Sequence, residues 1–273
     1  MGVGVTAKAR HGGERVARSG GFEWLARAGF VARGLIYLII GVLAIKLAVG
    51  DGGTTTNQQG ALKTIAHQPF GKVLLILVAA GLAGYALWRF VRAALGHGPE
   101  GADEPFDRVA ALGSGVVYAV LCVVAVEIVA GAGASSGDAK ETTAGILGWP
   151  AGTWLVGAAG VVLIGIGLYQ GHRSLSQDFL DDSKTEEMSA PLRTAFGWIG
   201  SVGYLARLVV FSLVGIFLIR AAVDFEPNKA VGLDGALAKV ANASYGPLLL
   251  GVVAAGLIAF GCFSLLDCRY RRI

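Results

Sequence analysis

Charge is what this sequence has least of. Of 273 residues only 15% are Asp, Glu, Lys or Arg, where soluble domains carry about 25%, and the mean hydropathy is +0.63. That deficit excludes an ordinary soluble domain and makes this a membrane protein by composition. Cysteine is nearly absent too. Cys122, Cys262 and Cys268 form no CxxC pair and no metal-ligand spacing, and two of them fall inside apolar runs, where cysteine behaves as a small hydrophobe. The four histidines (His11, His67, His97 and His172) fall in loops or at helix ends, which argues against axial ligands for a haem within a helical bundle. P-loop, GxSxG and HExxH patterns are missing. So are intramembrane acids of the kind a proton relay needs: Glu127 is the one that qualifies, and it is shallow. The reading is therefore non-enzymatic, with no cofactor. No short apolar core precedes a cleavage site near the start. The first 23 residues read as a basic cytoplasmic tail, although MGVGVT also fits the loose myristoylation pattern.

What the chain does have is glycine, 42 residues, about twice the usual share. Small residues let membrane helices approach closely. Six apolar stretches are long enough to cross about 30 Å of hydrocarbon, at 29–49, 71–94, 109–130, 152–171, 200–222 and 246–266. Polar or Gly/Pro-rich separators divide them, such as GDGGTTTNQQG and GHGPEGADEPFDR. Sixteen of the 23 Lys and Arg residues lie on the side holding both termini. By the positive-inside rule that side is cytoplasmic, and the sequence pI near 9.0 is read as topology rather than nucleic-acid binding. Trp24, Trp88, Trp149, Trp154, Trp198 and Tyr270 stand near span ends as an interfacial belt.

The spans repeat. GFVARGLIYLIIGVLAIKLAV from Gly29 aligns with GYLARLVVFSLVGIFLIRAAV from Gly203, so that Arg33 recurs as Arg207 and Gly41 as Gly215. A middle copy, ALGSGVVYAVLCVVAVEIVAG, places Tyr118 on Tyr37 and Ser114 on Arg33. Return helices repeat as well: FGKVLLILVAAGLAGYALW from Phe70 parallels YGPLLLGVVAAGLIAFGCF from Tyr245, with AGTWLVGAAGVVLIGIGLY as a more diverged middle copy. Before them lie the external segments GALKTIAHQPFG and GALAKVANASYG, and the middle equivalent AGILGWPAG is about four residues shorter. The organisation is thus a basic tail (1–23), unit 1 (24–98), unit 2 (105–176), an acidic linker (177–193) read as solvated, and unit 3 (194–273).

This tandem helix pair, with its ARx entry, its GALxx-A external segment and its FG…VAAGL…Y return helix, resembles the bacterial membrane proteins of the domain-of-unknown-function 1206 family. The resemblance covers about residues 24–270. It implies three copies of a two-helix unit in a bacterial cytoplasmic membrane, and it implies no activity. Because each unit holds two spans, all three enter the membrane in one orientation and can be related only by an axis along the membrane normal. The expected fold is all-α: a six-helix membrane bundle of three tandem hairpins in a pseudo-threefold arrangement.

Two sets of candidate residues follow. Lys46, Glu127 and Arg220 occupy one repeat position near the outer end of each first helix. They either snorkel separately to head groups or pair as an outer ion cluster, with a small channel or transporter between the hairpins as the sharper alternative. Arg33, Arg207 and Arg89 sit near the inner ends as candidate contacts for lipid head groups. The leading functional reading is a non-catalytic accessory, assembly or interaction subunit. Its partners would be membrane lipids and either another membrane protein or a second copy of the chain, not nucleic acid.

Overall fold

A computed structural model of the chain describes residues 20–95, 105–131 and 139–272. Among them the six long apolar runs are helices: α1 (Gly20–Ala48), α3 (Gly71–Leu95), α4 (Pro105–Val129), α6 (Gly152–Ser176), α7 (Ala190–Val223) and α9 (Gly246–Tyr270). Each is long and apolar enough to cross a membrane, so the protein is a multi-pass, all-α membrane protein. Nine-residue helices join the two spans of every unit: α2 (Gln58–Ala66), α5 (Ala139–Leu147) and α8 (Leu233–Ala241). The middle one is as long as the others, because it starts five residues before the AGIL motif that marks it in sequence. All three lie at one end of the spans, here the capped end. The opposite end, where α1 starts and α9 finishes, is the basal end.

Local chemistry sets the capped end. Asn57 accepts the Gly60 amide at 2.9 Å and so caps α2, whose Ala61, Leu62 and Ile65 are buried. Phe70 and Tyr245, one residue before α3 and α9, both hold a left-handed backbone (φ 60° each) and turn their rings outward. The matching Ala151 of the middle unit has φ −113°, so its turn is built differently.

Helix packing follows a cyclic rule. The first helix of every unit lies against the return helix of the unit before it: α4 on α3, α7 on α6, and α1 on α9. One register recurs at all three crossings. A Cβ on Gly41 would meet the Ala254 carbonyl at 2.9 Å, and Gly215 and Gly160 each sit where a Cβ would meet the other's carbonyl, at 2.6 and 2.7 Å. In the third crossing Cys122 replaces the glycine and its thiol donates to the Ala79 carbonyl at 3.4 Å. Beside it a cavity of about 310 Å³ opens between Ile76, Ala79, Ala80, Ala83, Cys122, Val126 and Val129.

Within the units the rule breaks once. α1 packs on α3 and α7 on α9, but among the described residues no extended packing joins α4 to α6. Where units 1 and 3 have glycines at their internal crossing (Gly29 and Gly81, Gly203 and Gly256), the middle unit has Ala110 and Val162. The ring of helices therefore runs α6–α7–α9–α1–α3–α4, with a seam between its ends. Only 22% of the most apolar stretch of α4, and likewise of α6, is buried, against 56% for α1 and 50% for α9.

Candidate functional site

At the basal end the structure buries a set of charges. Arg33, one residue before the close approach of Gly34 to Gly261 on α9, is carried into the interior and is 6% exposed. Its Nε donates to Ser264 Oγ at 3.1 Å, its Nη1 to Tyr85 Oη at 3.1 Å, and its Nη2 lies 3.7 Å from Asp267 Oδ2. The guanidinium also lies over the rings of Phe30 and Phe260, at 4.8 and 5.2 Å. Asp267, fully buried, accepts from Ser183 Oγ at 2.9 Å and lies 3.4 Å from Arg271. Arg271 reaches Asp182 at 3.2 Å, and Asp182 pairs in turn with Arg173 of α6. The result is a chain of alternating sign, Arg33–Asp267–Arg271–Asp182–Arg173, that ties α1, α9 and α6 together. Burying two carboxylates is tolerable because each faces two guanidiniums.

Asp182 and Ser183 belong to the acidic segment, and the solvated-linker reading is corrected here. Phe179 is fully buried among Phe196, Tyr204 and Phe263, with ring centroids 6.4, 5.1 and 5.2 Å away. That anchor folds the segment under α9. Lys184 N donates to Tyr270 O at 2.7 Å and Arg272 N to Asp182 O at 3.0 Å, a short antiparallel clasp. Arg272 adds a two-pronged bond to Glu186, 2.9 Å to each oxygen. Burial pushes the Asp182 carboxyl above its ordinary range, against the pull of Arg173. Glu186, exposed, is held below its ordinary range by a backbone amide and by Arg272.

The head-group expectations divide. Arg33 makes internal contacts, because Tyr85, Ser264 and Asp267 surround it, so its reading as a lipid contact is corrected. Arg89 is half-buried and donates to Tyr85 Oη through Nε (3.2 Å) and Nη2 (2.8 Å). The phenol oxygen thus receives N–H groups from two arginines. Arg207 is half-buried over Phe260, Phe211 and Tyr37, at 4.4, 5.1 and 5.7 Å, and its Nε is buried with no hydrogen-bond partner. Trp88, expected in the interfacial belt, packs inside against Phe30 and Tyr85.

At the capped end Lys46, Glu127 and Arg220 are all exposed, and among the described residues no ion pair joins them. Their common helix face explains this: Val42, Val123 and Ile216, one turn earlier in each copy, are also exposed, so the face points outward. The structure does not bring these three together.

Sequence reading missed Asp267, Asp182, Arg173 and Arg271. The last apolar stretch ends at residue 266, one short of the buried acid. A signal was present: in the repeat register Arg92, Arg173 and Asp267 occupy one position, and a sign inversion between copies marks a site.

Comparison with known proteins agrees with this threefold construction. The model of the Domain of Unknown Function family DUF1206 matches three times, at 28–96, 109–177 and 202–271. Uncharacterized protein YxxB of Bacillus subtilis (strain 168) is 31% identical over 250 residues, covering 90% of each chain. No solved structure matches. With three consecutive matches spanning its six membrane helices, the chain belongs to the DUF1206 family.

Proposed function

We propose that the protein is a non-catalytic interaction subunit of the bacterial cytoplasmic membrane, with its basal end in the cytoplasm, that assembles with another membrane component. The observation that carries this is the seam. Five neighbouring pairs of spans pack closely, whereas among the described residues no extended packing joins α4 to α6; there Val117, Val162 and Ile166 are exposed, where their counterparts Ile36 and Val210, Gly81 and Gly256, and Tyr85 and Phe260 are buried. A ring lacking one contact offers two helix faces to a partner helix, and such faces associate through van der Waals packing rather than through a hydrophobic drive. The charged groups support the same reading, since the buried acids are engaged in internal pairs at one end.

The test is native mass spectrometry of protein extracted gently from its own membrane. A stoichiometric protein partner, or a defined homo-oligomer, that is lost when Val117 and Val162 are replaced by tryptophan supports the reading. A monomer that moves ions in a liposome flux assay, with the flux stopped by Glu127→Gln, overturns it in favour of a channel or transporter.

A further inference from the structure

The cyclic packing rule repeats the Arg33 position, and comparing the two copies that keep an arginine exposes an imbalance. In the first copy the arginine of α1 faces a hydroxyl on its own return helix (Tyr85) and a hydroxyl and carboxylate on the preceding unit's return helix (Ser264 and Asp267). In the copy built on α7, the arginine is Arg207 and the three partner positions hold Phe260, Gln170 and Arg173. The phenol has lost its oxygen. Where the carboxylate stood there is a second guanidinium, already committed to Asp182 of the clasp. The register is the same in both copies: Gly34 meets Leu265 on α9, and the matching Leu208 of α7 meets Gly171 on α6.

Arg207 consequently keeps its charge and loses its counter-ion. Three aromatic rings hold its guanidinium, and among the described residues no carboxylate or hydroxyl bonds it. Counting 16 residues to Val223 at 1.5 Å each, it lies about 24 Å from the capped end of α7, just inside the basal edge of a 30 Å hydrocarbon layer. An unpaired guanidinium at that depth is costly.

We propose that Arg207 seats a phosphate-class anion, in the place that Asp267 fills for Arg33. A planar guanidinium presents paired N–H donors matched to phosphate oxygens, and the flanking rings hold it flat for that contact. Two sources carry this chemistry: the head group of a phospholipid in the basal leaflet, or a free phosphate. The site is on α7 and is independent of the seam, so either proposal stands if the other fails.

The test measures thermal unfolding of the full chain in a phosphate-free maltoside detergent, with phosphatidylglycerol, phosphatidylcholine or inorganic phosphate added. The expected result is a rise of several degrees for the native chain, abolished in Arg207→Gln and partly kept in Arg207→Lys, which retains charge without the fork. Arg33→Gln should unfold earlier in every condition and retain the ligand-dependent rise. A rise with a phospholipid and none with inorganic phosphate identifies the head group; a rise with inorganic phosphate alone identifies a soluble ligand. No rise with any of the three, or an equal rise in Arg207→Gln, overturns the proposal. If Arg207→Gln does not fold, native mass spectrometry of Arg207→Lys decides: retention equal to the native chain's overturns it.

Discussion

Asp267 stands between Arg33 and Arg271 with no exposure to solvent, so it is the residue whose removal strands the most charge. Asp267→Ala leaves two buried guanidiniums without that carboxylate and should cost about 3–5 kcal/mol, seen as a large fall in thermal unfolding temperature in detergent. Lys46→Gln, on an exposed face at the opposite end, should change the same measurement by less than about 0.5 kcal/mol. Glu186 adds a pH dependence. Its carboxyl is held below the ordinary glutamate range, so its contribution is present above that range and is lost as pH falls through the folded-state value. Protection of the Lys184 and Arg272 amides, relative to their intrinsic exchange rate, should therefore fall in acid, and Glu186→Gln should flatten the dependence. At this scale the sequence was only half legible. Arg33 and Arg207 were visible as repeat partners, but nothing in either first helix alone says that one meets a carboxylate and the other a second guanidinium at the same position. That difference comes from the neighbouring unit's return helix, 234 residues away for Arg33 and 34 for Arg207.

Among elements, α6 and α7 show most directly what glycine does here. Gly160 and Gly215 place each helix's carbonyl where the other's Cβ would be, so the axes come together only if both positions stay small. Gly215→Leu should push the helices apart and cost about 1–3 kcal/mol in thermal unfolding. The same substitution at Cys122, which faces an open cavity, should cost less, and Leu there has room to fill it. Helix positions and the threefold repeat were legible because hydropathy and glycine spacing are local properties. The acidic clasp was not, because its charge pattern reads as solvated; the buried Phe179 and Met188 within it were the contrary signal.

For the whole molecule, the open seam has a geometric consequence. Spin labels at Val116 and Val161, across the middle unit, should report a longer distance than labels at the matching Val209 and Ala255 of unit 3. Equal distances would mean that the middle hairpin closes like the others and would remove the basis for a partner there. The pseudo-threefold plan was legible from the parity of spans, since two spans per unit force a common orientation. The missing contact was written only in the exchange of glycines for Ala110 and Val162.

The closing crossing, α1 on α9, also orders events in time. Asp267 is made 234 positions after Arg33. At about 5–20 residues per second a ribosome needs roughly 10–50 s to cover that interval. Until then Arg33 has the Tyr85 hydroxyl of its own unit but no carboxylate, and the Gly34 and Gly41 face of the first helix is bare. A chain halted before residue 246 should thus leave α1 poorly anchored and open to quality-control proteases, however complete its first two units are.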